Sequence, residues 1–182
     1  MSRALARFLT TLGAVGLLTL GSVASVAFLQ SNFDGGQRLA LARCGPAHDV
    51  GTVVHVTLSD AGGAMMGGGS PMMVSLSVSP NTLSAGTVTF IATNVGSLNH
   101  ELLVLPASAD GVGTRAVGSD GKIDESSSRG EASTSCGSGP GRGISPGTTS
   151  WVTLHIKPGN YELLCDLPWH YANGMFAALR AN

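Results

Sequence analysis

Charge is scarce in this sequence. Only 12% of the 182 residues are Asp, Glu, Lys or Arg, and they nearly cancel at a net charge of −1. No run of Lys and Arg is available to neutralise phosphates, which argues against nucleic-acid binding. Aromatic side chains make up only 5%, and cysteine occurs three times, an odd number. Beyond the first thirty residues there is no sustained helical period and no internal repeat, which disfavours a helical bundle. What is present is 43% hydrophobic content and 26 glycines, with Val, Thr, Ser and Leu dominating the patterned stretches. That mixture favours a β-rich domain with long turns. The length allows one ordinary domain with its own core once a leader is set aside.

The leader is MSRALARFLTTLGAVGLLTLGSVASVAFLQ, residues 1–30. Arg3 and Arg7 give it a positive start, and residues 8–29 carry no charge. Ser25-Val26-Ala27 offers the small residues a signal peptidase needs. The uncharged run is also long enough to span a bilayer as an uncleaved anchor helix. Cleaved signal peptide and membrane anchor both stay open. Either one puts the rest of the chain outside the cytoplasmic membrane, with the positive flank inside. Without residues 1–27 the remainder has 8 basic and 11 acidic residues, a net −3.

Residues 31–50 read as a polar linker, and residues 51–182 as the folded domain. In residues 51–58, GTVVHVTL, Val54, Val56 and Leu58 alternate with Val53, His55 and Thr57. Residues 72–78 alternate in the same way, setting Val74, Leu76 and Val78 against Met73, Ser75 and Ser77. Further strands are expected over 87–93, 101–105, 151–156, 161–165 and 175–179. This predicts an all-β fold, a Greek-key antiparallel β-sandwich. Residues 106–150 break the pattern, being rich in Gly, Ser and charge, and read as a long insertion.

An odd cysteine count outside the cytoplasm means that one thiol is free, liganded or paired to another chain. Cys165 lies in CDLPWHYANGM, with His170 and Met175 each five positions further on. Cys44 and Cys136 have no such company. The economical division is a Cys44–Cys136 disulfide, with Cys165 reserved for a metal; the alternative is two unpaired thiols.

Thiolate, imidazole and thioether together suit a soft or borderline metal, and copper most of all. Cu(I) favours sulfur and Cu(II) favours nitrogen, so two imidazoles, a thiolate and a weak thioether serve both states. A second histidine is then required, and the chain has five. His55 and His155 fall on the polar phase of their strands, and His48 falls in the linker. His100 is the best candidate, because it opens the apolar strand of NHELLVLP after a turn.

These motifs resemble the blue (type 1) copper proteins, the cupredoxins. The likeness covers residues 51–182. It rests on the lone strand-opening histidine and on PGNYELLC, residues 158–165, leading into a Cys-x4-His-x4-Met loop. The loop spacing is similar to that of the sulfocyanin and rusticyanin branch. The resemblance implies one copper ion held by His100, Cys165 and His170, with Met175 as a weak axial ligand. It also implies an apolar patch around the second histidine, here Pro168 and Trp169, where redox partner proteins dock transiently. Core packing is the other reading of Trp169. Family members often carry Asn or Ser after the first histidine as a brace; Glu101 stands there instead.

Four protein ligands leave no position for a small-molecule substrate, so one-electron transfer is expected, not catalysis. The flanks of Cys165 are Leu164 and Asp166, where multicopper oxidases carry histidines. A zinc site is open to His and Cys, but thioether is a poor zinc ligand. Met65, Met66, Met72 and Met73 around a glycine-rich turn raise a second reading, a copper-delivery protein with a separate Cu(I) site. Packing of those methionines is the plainer account. A third reading is an envelope domain whose copper site has lapsed.

Overall fold

The computed structural model describes residues 44–45, 50–61 and 73–182. The leader, His48, Met65, Met66 and Met72 lie outside the described residues. Among the described residues there are ten strands, one short 3-10 turn (Tyr171–Asn173) and no α-helix. No helix among them is long and apolar enough to cross a membrane.

The strands are β1 (Thr52–Ala61), β2 (Met73–Ser79), β3 (Thr82–Leu83), β4 (Gly86–Asn94), β5 (Leu102–Pro106), β6 (Gly130–Thr134), β7 (Gly139–Gly143), β8 (Thr149–Ile156), β9 (Gly159–Leu164) and β10 (Phe176–Ala181). One sheet runs β2-β1-β4-β8 and the other β3-β10-β9-β5-β6-β7. Their facing sides share one core. Val54, Val56, Leu58, Val74 and Phe90 of the first sheet meet Leu102, Val104, Leu163 and Leu179 of the second. The alternation read in β1 and β2 is the observed burial, with His55 and Met73 exposed. His155 is exposed as well.

The sheets are mixed, which corrects the antiparallel expectation. β1 pairs β4 in parallel, with Val54 opposite Phe90 and Leu58 opposite Asn94. β10 and β3 are also parallel, as are β6 and β7. A two-residue period shows which face of a strand is buried; parallel and antiparallel neighbours produce the same period.

Residues 106–150 contain β6 and β7, strands that the Gly- and Ser-rich composition concealed. This stretch covers the outer face of the second sheet. Leu103, Leu105 and Leu164 point away from the main core and pack with Ile123, Tyr171, Val117 and Phe176 in a second cluster. Covered on both faces, β5 reads as an unbroken apolar run, LLVLP. A disulfide joins Cys136 to Cys44 across 92 residues of sequence and ties this stretch to the segment before β1.

Candidate metal centre

Antiparallel pairing of β5 with β9 sets Leu103 opposite Leu164. The residues just before β5 therefore lie beside the residue just after β9, and His100 meets Cys165. The β9–β10 pair, with Phe176 opposite Leu164, closes the other side. The Cys165 N–H donates to the Met175 carbonyl (3.1 Å), and the Met175 N–H to the His170 carbonyl (3.1 Å). The eleven-residue loop from Cys165 to Met175 thus folds back on its own start.

The turn that feeds β9 is held by Tyr161. Its hydroxyl donates to the Lys157 carbonyl (2.9 Å) and accepts from the Lys157 N–H (3.1 Å). Those bonds close the Pro158-Gly159 turn and fix where the strand carrying Cys165 begins.

Three donors converge at this end of the sandwich. The Nδ1 atoms of His100 and His170 are 3.2 Å apart, and Cys165 Sγ is 3.3 Å from His170 Nδ1. They form the one His/Cys/Asp/Glu cluster among the described residues able to hold a metal ion. His100 and Cys165 are 0% exposed and His170 6%. Met175 is fully buried and packs in the same core cluster as Cys165. One soft sulfur with two ring nitrogens fits copper in both of its common oxidation states.

Burial dominates the site's protonation. It pushes the Cys165 thiol up to about 12, although the N–H groups of Leu167 and Glu101 partly offset it. It pushes His170 down to about 4, helped by the neighbouring His100. Glu101 and Asp166 are both raised to about 7, chiefly by burial.

Glu101 replaces the Asn or Ser brace and still braces. Its N–H donates to Cys165 Sγ (3.3 Å), and its Oε1 accepts the Asp166 N–H (3.1 Å). The chain on both sides of the cysteine is thereby tied to the start of β5. Asp166 Oδ1 in turn accepts the Ile123 N–H (2.7 Å), joining the covering stretch to the same place.

Trp169 is 50% exposed next to His170, so it is not a core residue. Its backbone is left-handed, φ 70°, a conformation that costs a non-glycine residue about 1–2 kcal/mol. Three hydrogen bonds hold it. The Trp169 N–H donates to the Gly121 carbonyl (2.8 Å), while the Asn173 N–H and Nδ2 donate to the Trp169 carbonyl (3.1 and 2.8 Å). A Cβ on Gly121 would lie 2.8 Å from the Trp169 nitrogen and 2.9 Å from its ring. Val95 and Leu98, in the turn before His100, are the other exposed large apolar side chains flanking a histidine of the site.

Sequence reasoning missed two sets of supporting residues. Asp60, at the end of β1, accepts the Nε2–H of His100 at 2.9 Å. Glu162, on β9, is buried among Arg115 Nε (2.6 Å), the Gly113 N–H (2.7 Å) and the Tyr171 hydroxyl (2.9 Å). Apart from Tyr171, nine positions from Glu162, the partners lie 40 to 49 positions away, beyond the reach of local sequence patterns.

The family model for the sulfocyanin (SoxE) domain matches residues 71–182, more than half of the chain. No curated protein sequence matches. Solved structures with related folds include auracyanin from Roseiflexus castenholzii: 15% identity, TM-score 0.46, covering 74% of this chain and 99% of that one. Rusticyanin from Thiobacillus ferrooxidans is similar at 19% identity and TM-score 0.43, covering 80% and 91%. Auracyanin A from Chloroflexus aurantiacus, a blue copper protein, is similar at 19% and 0.42, covering 71% and 99%. The sulfocyanin match covers His100, Cys165 and His170, and the chain belongs to the sulfocyanin (SoxE) domain family.

Proposed function

We propose that this protein is an extracytoplasmic one-electron carrier with a single type 1 copper ion, held by His100, Cys165 and His170 and axially by Met175. The observation that carries the reading is the convergence of two imidazole nitrogens and a sulfur within 3.2–3.3 Å contacts at a buried site. Copper supplies the one-electron couple. The protein supplies a nearly fixed donor set, which keeps rearrangement between oxidation states small. A set of four side chains leaves no coordination position for a substrate, which separates a carrier from a catalytic centre.

His170 is the ligand nearest the surface, flanked by Pro168 and the exposed Trp169. This patch is the docking face for redox partner proteins. Small, weak interfaces suit rapid exchange. Residues 51–182 form the carrier domain. Residues 1–30 export it and leave it either free or anchored through residues 8–29.

The test is reconstitution with Cu(II). One equivalent per chain with intense thiolate-to-copper absorption supports the carrier, and Cys165→Ser abolishes the colour. A second, Cu(I)-specific equivalent lost on changing Met65 and Met66 would favour copper delivery instead.

A further inference from the structure

The geometry points to Asp60 as a charged positioning residue that aims His100 at the metal and lowers the reduction potential. The inference rests on the copper reading of the site.

A carboxylate can only accept, so the 2.9 Å contact between His100 Nε2 and Asp60 Oδ1 fixes the hydrogen on Nε2. The neutral ring then presents Nδ1 as a lone pair, and Nδ1 is the atom that faces His170 and Cys165. The tautomer needed for ligation is set before any metal arrives.

Asp60 is itself immobilised. Oδ1 accepts the N–H groups of Ser97 (2.8 Å) and Leu98 (2.9 Å), and Oδ2 accepts the Ser97 hydroxyl (2.6 Å) and N–H (3.1 Å). Its side chain is 1% exposed. The donors of Ser97, Leu98 and His100 all face its two oxygens, an arrangement that suits the carboxylate, which only accepts.

The turn is shaped to receive this carboxylate. A Cβ on Gly96 would sit 2.1 Å from Asp60 Oδ1, so only glycine admits it. Asn94, fully buried, clamps the same turn; its Nδ2 donates to the Leu98 and Ile144 carbonyls, both at 2.7 Å, and its Oδ1 accepts the Gly96 N–H (2.9 Å).

A fixed negative charge one imidazole away favours the more positive oxidation state of the ion, and in a buried setting it is weakly screened. Asp60 therefore shifts the couple toward Cu(II).

Two variants and one measurement on the native chain test this. Asp60→Asn keeps an oxygen acceptor for His100 but removes the charge. It should stay coloured, with the couple shifted toward Cu(I) by tenfold or more, 59 mV for one electron. Asp60→Ala also removes the acceptor and should weaken copper binding by about 10–100-fold. Nitrogen NMR of the native chain before copper is added should find His100 protonated at Nε2, a readout independent of how either variant folds. A shift under twofold in a folded, coloured Asp60→Asn protein would overturn the assignment, as would His100 protonated at Nδ1. Failure of the native chain to develop colour would instead remove the copper reading itself.

Discussion

Cys165 and Met175 are both buried among apolar neighbours, yet they ask different things of a metal. The thiol is held protonated by burial, at about 12, so the ion must displace a proton to gain the thiolate. The metal-free site binds the proton and the loaded site does not, so affinity rises with pH. His170 is already neutral above about 4 and adds nothing to the slope until the pH falls that low. Copper affinity should therefore increase by at least about tenfold per pH unit between roughly pH 5 and 9, the slope for the one proton released by Cys165. Competition titrations across that range measure it, and a flat profile would contradict it. Met175→Leu should keep the colour, because the thiolate and both imidazoles stay. Losing the fourth donor leaves a three-coordinate, less polar site, which Cu(II) tolerates less well than Cu(I), so the potential should rise. Protein-film voltammetry checks this; an unchanged potential would mean that Met175 is not axial.

At the scale of elements, the site is where β5, β9 and the loop into β10 meet the turn after β4. The elements that hold it are joined by buried polar contacts. Glu162 on β9 is 0% exposed and pairs with Arg115 from the covering stretch. Tyr171, next to His170, donates to the same carboxylate. Removing Arg115 leaves that charge buried and unpaired. Arg115→Ala should cost about 3–5 kcal/mol by urea unfolding; a loss under about 1 kcal/mol would show that the Gly113 and Tyr171 hydrogen bonds suffice to hold the charge.

These elements also mark what the sequence could and could not disclose. The burial phase of β1 and β2 was legible because side chains alternate with a fixed period. The meeting of Cys165 and His170 was legible because their spacing is local. His100 was found from its place at the start of an apolar strand. Asp60 was invisible for a definite reason. It reaches His100 only because β1 lies parallel to β4, with Leu58 opposite Asn94, so that the end of β1 arrives at the turn carrying Ser97 and Leu98. The period of a strand carries no information about the direction of its neighbour. β6 and β7 were hidden because Gly- and Ser-rich strands lack that period altogether.

At the scale of the molecule, two sheets share one core, and the stretch of residues 106–150 seals the outer face of the second. The Cys44–Cys136 bridge closes a loop of 92 residues and fastens that stretch to the start of the domain. Reduction should lower stability by about 4–5 kcal/mol in the loop-entropy model. Neither bridged cysteine belongs to the His100, Cys165 and His170 cluster, so protein reduced without metal and freed of reductant should still develop colour with Cu(II). Denaturant curves with and without reductant, run on metal-free protein, give the first quantity.

The most direct test of the whole account is a Cu(II) titration of the purified chain, followed in the visible range. The expected result is intense thiolate-to-copper absorption that saturates at one equivalent and is absent in Cys165→Ser. A chain that binds copper without that absorption, or keeps it in Cys165→Ser, would contradict a type 1 site built on His100, Cys165 and His170.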